Sequence, residues 1–201
     1  MALIPFPVLT RSAPRDLNFS LISNTTAFRS PLTKSLQTLE LPGAAWQASF
    51  SFNNLGEADA AQLQAFLMRM RGSAGRVQLY NWARPRPRGI ATGTPLVRGS
   101  GQTGAALITD GWTPSTTDIL KVGDFIGING ELKMVVADAN SDAGGVATLS
   151  IEPPLRSSPF DNAAIVTNKP TATFQRDDDA ASWSTAPALI SSFALQLIEA
   201  F

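Results

Sequence analysis

The run Trp46-Gln47-Ala48-Ser49-Phe50-Ser51-Phe52, continued by the stretch from Asn54 to Gly72, decides the fold class. Apolar residues fall at positions 46, 48, 50 and 52, and Gln or Ser at the three between. A period of two puts one set of side chains on each face of a pleated strand, one buried and one wet. The segment that follows has a different period. Leu63, Phe66, Leu67 and Met70 are spaced i, i+3, i+4, i+7, which gathers them on one stripe of a helix. Asn54 with Glu57 three residues on predicts an N-cap and capping box. Acid in the first turn and Arg in the last suit the macrodipole, and Gly72 predicts the stop. A strand with Trp46 and Phe50 facing a helix with Phe66 and Met70 makes these four residues core.

Strands are expected on either side. Leu17 to Ser23 and Leu32 to Leu41 precede the decisive run, with Pro42-Gly43 as a turn, and Gly75 to Trp82 follows the helix. Beyond Trp82 the composition changes. Arg84-Pro85-Arg86-Pro87-Arg88 predicts an extended, polyproline-like path, because each proline fixes its own φ. Gly89 to Gly104 reads as a Gly/Thr-rich linker. Then short strands return around Phe125–Ile128, Leu132–Val136 and Val146–Ile151, with Asn129-Gly130 as a hairpin turn and Pro153-Pro154 as a stop. The character of the N-terminal part resumes with a strand at Thr171–Arg176, a turn at Asp177-Asp178-Asp179 and a last strand from Leu189 to Glu199. Without that final pair the first part lacks the strands for a complete sheet. The expected organisation is therefore a discontinuous domain, 1–94 with 168–201, interrupted by an inserted β module at 95–167. The first 15 residues, with Pro5, Pro7 and Pro14, predict an extended arm suited to lying along a neighbour; no basic region precedes its apolar start, so it is not read as a signal peptide.

Composition narrows the function. The chain of 201 residues has 16 basic and 16 acidic residues, no cysteine and no histidine. No disulfide framework, zinc finger, Cys–His dyad or Ser–His–Asp triad can be built from it. Balanced charge argues against a dedicated nucleic-acid binder, and no apolar run reaches the length of a membrane span. Charged residues are only 16%, against roughly a quarter in an ordinary domain. A charge-poor surface is a first hint of an assembly. The signs are also segregated. Between Asp59 and Asp110 there are seven Arg and no acid, whereas from Asp110 to Asp161 eight acids face three basic residues. Across a subunit contact such surfaces would attract.

Three patterns suggest chemistry and are set aside. Gly99-Ser-Gly101-Gln-Thr-Gly104 matches a dinucleotide fingerprint, yet no strand leads directly into it and no helix follows. Asp177, Asp178 and Asp179 offer oxygen ligands, but consecutive side chains diverge, so a solvated turn is expected there. Asp124, Glu131 and Glu152 could in principle supply a carboxylate pair for glycoside hydrolysis. With one Tyr and four Trp in the chain, aromatics to grip a sugar are scarce.

Several of these motifs resemble one family. Trp46-Gln-Ala-Ser-Phe50, the helix segment with Leu63-Gln-Ala-Phe66-Leu67 and Arg71-Gly72, Val77-Gln-Leu79, Val122-Gly-Asp124-Phe-Ile126, Ala147 to Arg156, Phe174 and Phe193 to Glu199 look like the distal tail proteins and related tail-tip ring proteins of long-tailed bacteriophages. The resemblance runs from about residue 17 onward. It implies a mainly β fold, a tail-tube-like β-sandwich or barrel with one flanking helix and an inserted small β-barrel. It further implies a non-enzymatic virion protein, without cofactor or metal, assembled in the host cytoplasm as a homohexameric ring joining the tail tube protein to the tail hub protein. Phe6, Arg84, Arg86 and Arg88 are the expected subunit contacts, with Asp124 and Glu131 as acidic partners; no membrane and no sequence-specific nucleic acid are involved. The other expected reading is a glycan- or receptor-binding β module.

Overall fold

The structure, a computed structural model, describes residues 3–10 and 14–201. It is mainly β. In chain order the elements are β1 (Asp16–Ile22), β2 (Thr25–Arg29), β3 (Leu36–Glu40), β4 (Ala45–Leu55), α1 (Glu57–Met70), β5 (Val77–Tyr80), β6 (Gly93–Val97), β7 (Gly104–Trp112), β8 (Phe125–Ile128), β9 (Glu131–Val135), β10 (Ala147–Leu155), β11 (Ile165–Val166), β12 (Thr171–Arg176), β13 (Ser184–Ala186) and β14 (Ile190–Glu199).

The decisive strand behaves as its alternation requires. Along β4, Trp46, Ala48, Phe50 and Phe52 are buried and Gln47, Ser49 and Ser51 only half so. Its sheet has the order β1-β4-β14-β12-β5, with β13 added beside β14. All pairings are antiparallel. Leu195 sits opposite Phe50 and Leu197 opposite Ala48, so β14 deepens the same apolar face. The stripe Leu63, Phe66, Leu67 and Met70 of α1 packs into that core with Val77, Leu79, Phe174 and Phe193. The sheet thus joins strands from 16–80 to strands from 171–199.

The helix is shorter than its sequence signals. It begins at Glu57 with Gly56 as N-cap, and no side chain caps it. Asn54 is not the cap, because β4 runs on and pairs Leu55 with Ser191; strand pairing takes Asn54 before the helix begins. At the other end Arg71, with φ 50°, is the left-handed residue, and Gly72 opens a 3-10 turn, Gly72–Ala74.

Residues 93–166 supply a second sheet, ordered β11-β8-β9-β10-β7-β6. Its ends nearly meet. Leu96 bridges Ala164, Val97 N–H donates to Ala163 O at 2.9 Å, and Asn162 N–H to Val97 O at 2.8 Å. The result is a small barrel filled by Leu107, Trp112, Ile126, Val135, Leu149 and Ile151 among others. Asn129 and Gly130 both have positive φ, as a two-residue hairpin turn requires.

Three sequence expectations are corrected in the barrel and the segment leading into it. The Gly/Thr-rich stretch is no linker: β6 lies inside it. The segment 98–103 is the β6–β7 hairpin loop, fastened by Gln102, whose amide donates to Arg98 O at 2.8 Å and accepts from Ile108 N–H at 2.6 Å. Pro153 and Pro154 do not end β10; they fall where its register with β7 shifts, a place where missing N–H groups do least harm. The Arg84–Arg88 run bends at 85–86 and again at 88–89 instead of running straight.

Two further segments matter for function. Residues 3–10 run along α1 of their own chain. Leu3 forms a parallel bridge with Arg76, Leu9 is buried, and Thr10 N–H donates to Asp59 at 3.2 Å. By contrast β2 and β3 form a separate two-stranded sheet in which every strand residue is exposed. The sequence predicted one strand from Leu32 to Leu41; it is a hairpin, with its turn where that strand was expected to start.

Candidate functional site

The surfaces that matter are edges, a projecting hairpin and the junction between the two sheets. β1 closes one side of the first sheet and β5 the other. The only bridge on the far side of β5 among the described residues is Leu3 with Arg76, at its foot. Unpaired N–H and C=O groups on such edges are templates for another strand. The β2–β3 hairpin exposes Phe28 (64%), Leu36 (56%) and Leu39 (61%). The register places Phe28 and Leu39 on one face, diagonal to each other across the ladder. A hairpin with one wet face on each side has little reason to persist alone in water.

The junction is built from charge. Trp46 reaches across it, its indole N–H donating to Leu132 O at 2.8 Å, and Phe125 lies 5.5 Å from the Trp46 ring. Beside them lie four charged groups. Lys133, fully buried, is 2.6 Å from Glu131 and also donates to Pro154 O at 2.8 Å. The guanidinium of Arg156 pairs with Glu199 and donates to Ala44 O. Glu199 accepts from Trp46 N–H at 3.0 Å, and Glu131 accepts from Arg156 N–H at 3.2 Å. Burial pulls Lys133 below the usual lysine range despite Glu131. Burial pushes Glu131 up, but the Lys133 ammonium and the Arg156 main chain and side chain outweigh it, and the carboxyl is held below its usual range. Two cations and two anions thus neutralise one another while tying β9 and β10 to β4 and β14.

The sequence-predicted contact residues are now placed. Phe6 lies against its own core, 5.2 Å from Phe66 and 5.6 Å from Trp82 between ring centres. Asp124 is buried and accepts from Arg88 N–H (2.8 Å), Gly89 N–H (3.1 Å) and Lys121 N–H (2.8 Å). Its acidic partner role is therefore played inside the chain, where it organises the turn that carries Arg88. Arg84 donates to Gly123 O at 2.8 Å and Arg88 to Val122 O. Arg86 is exposed and has no ion pair among the described residues. Glu131 belongs to the junction. The structure brings Arg84, Arg88 and Asp124 together; Phe6 and Glu131 stand apart from them. Sequence reasoning missed Lys133, Arg156 and Glu199. Only the rarity of charge inside otherwise apolar strands marks them, and that signal does not say which charges meet.

Gly99, Gly101 and Gly104 lie in or beside the β6–β7 hairpin loop, and Glu152 lies in β10 opposite Met134 of β9. Asp124 and Glu131 spend their oxygens on the groups just named. No cluster of three or more Asp or Glu side chains able to hold a metal occurs among the described residues. Asp179 instead accepts from Ser73 N–H and Ser73 Oγ–H, both at 2.8 Å, and these bonds hold its carboxyl below the ordinary 3.8. A depressed carboxyl stabilises the fold above its unfolded value and loses that contribution as pH falls through the folded one. Asp179→Asn is accordingly expected to lower the melting temperature at neutral pH, with the deficit shrinking below pH 3.8. Thermal melts across that range check it. Among the described residues no helix is long and apolar enough to cross a membrane.

No family model and no curated protein matches this chain.

Proposed function

We propose that the chain is a structural, non-enzymatic ring protein of a bacteriophage tail tip, forming a homohexamer that joins the tail tube to the hub bearing the receptor-binding apparatus. The observation that carries this reading is the combination of a sheet whose outer strands β1 and β5 have no further strand partner among the described residues and a hairpin whose strand residues are all exposed. An exposed edge pairs with another chain unless something blunts it. Copies placed side by side would satisfy β1 of one with the edge of the next and cover Phe28 and Leu39. Heterologous contacts repeated through a fixed rotation form a ring when that rotation closes. The sequence resemblance supplies the biological setting, and the small barrel would decorate the outside.

The arm changes one detail. Since residues 3–10 lie on their own helix, the contacts are assigned to sheet edges and hairpin rather than to Phe6. Native mass spectrometry with negative-stain imaging tests the proposal: a ring of six is expected, and a monomer at high concentration with no ring in the images overturns it.

A further inference from the structure

The basic turn between β5 and β6 is more than a crossover. Arg84 and Arg88 are fixed from one side by two adjacent carbonyls, Gly123 O and Val122 O. They converge closely. A methyl placed on Gly123 would overlap the Arg84 guanidinium and come within 3.8 Å of Arg88 Nη2. Like charges are thus held side by side on a bent loop, although repulsion alone would spread them. Lys169 joins them, since its N–H donates to Pro85 O at 2.6 Å and its ammonium lies 5.4 Å from the Tyr80 ring. Arg86 projects from the same turn, exposed. Against these four cations stand two carboxylates: Asp124, buried and 3.7 Å from Arg88 Nε, and the exposed Asp138, which accepts from Val122 N–H at 2.8 Å. The Arg88 side chain is still 54% exposed. Each guanidinium has five donors in a planar fork, and the carbonyls and Asp124 use only some of them.

We infer that this turn is a binding site for carboxylates of an acidic polypeptide segment. Pre-fixed guanidiniums suit carboxylate oxygens and lose little freedom on binding. A nucleic acid fits less well. The nearby rings have no open face for a base: Tyr80 is covered by Lys169 and tilted against Trp82 at 5.4 Å, and Trp82 packs on Phe6 and Phe50. The inference does not depend on ring formation, because the turn is complete within one chain.

A fluorescent hexaglutamate peptide, titrated into the full chain at low ionic strength, tests it. Binding that weakens with salt is expected, and it should fall roughly tenfold or more in Arg86→Glu/Lys169→Glu. Neither side chain is in an ion pair among the described residues, and the change removes only the contact of the exposed Lys169 with Tyr80, so the variant should still fold as the parent does. Arg29→Glu/Lys34→Glu, on the exposed β2–β3 hairpin, makes the same change in net charge and should leave peptide binding intact. Absence of peptide binding, equal loss in the hairpin control, or tighter binding of a DNA duplex of matched charge through the same residues would each overturn the inference. Inorganic phosphate should compete only weakly; if it matches the peptide, a simple anion site replaces the polypeptide one.

Discussion

Arg156→Met is expected to lower the free energy of unfolding by about 3 kcal/mol. Arg156 and Glu199 are 13% and 1% exposed at their side chains, so the change strands a carboxylate away from water. The pair as such need not stabilise the fold, since two desolvated charges repay each other only in part. Removing one of them is what costs. The double variant Arg156→Met/Glu199→Gln separates these ideas. Gln keeps an oxygen for Trp46 N–H and needs no counter-ion, so most of the loss should be recovered. Urea denaturation of the two variants decides; a single variant as stable as the parent would show that the junction charges do not meet as described. Acid should act in the same direction through Glu131. Its carboxyl is held below the ordinary 4.5, so it stabilises the fold above that value and ceases to do so as pH falls through its folded value.

The second large effect concerns assembly rather than folding. Phe28→Asp with Leu39→Asp should change the melting temperature of the separate subunit only slightly, since both side chains are mostly exposed in one chain. If the parent assembles into the proposed ring, that assembly should be lost, because the change places two carboxylates on the face proposed to meet a neighbour. Light scattering and electron micrographs give the answer. Rings that survive in normal yield would remove the hairpin from the subunit contact and leave only the sheet edges to carry it.

How far these features are legible in the sequence depends on their range along the chain. The alternation of 46–52 and the helical stripe of 63–70 are local, and both stand in place. So do β12, β14 and the Asn129-Gly130 turn. What fails is punctuation judged without tertiary pairing. Asn54 looks like a cap until β14 draws it into β4. The glycines of 99–104 look like a linker until β6 and β7 pair across them. Two prolines look like a stop until a register shift accommodates them. The candidate contact residues are half legible. The Arg84–Arg88 run is visible, but not that Asp124 sits beneath it, nor that Glu131 turns away to Lys133. Contacts between residues dozens of positions apart leave no period to read.

The placement of β14 between β4 and β12 also bears on biosynthesis. Of the strands described it leaves the ribosome last, yet the first sheet is two separate fragments without it. The aromatic face of β4 must therefore wait, with α1 as its cover, until residues 190–199 have been made. Strands 93–166 have all their partners among themselves and can mature while the chain is still growing. A truncated nascent product should then yield a protease-resistant barrel attached to an unfinished, chaperone-dependent remainder.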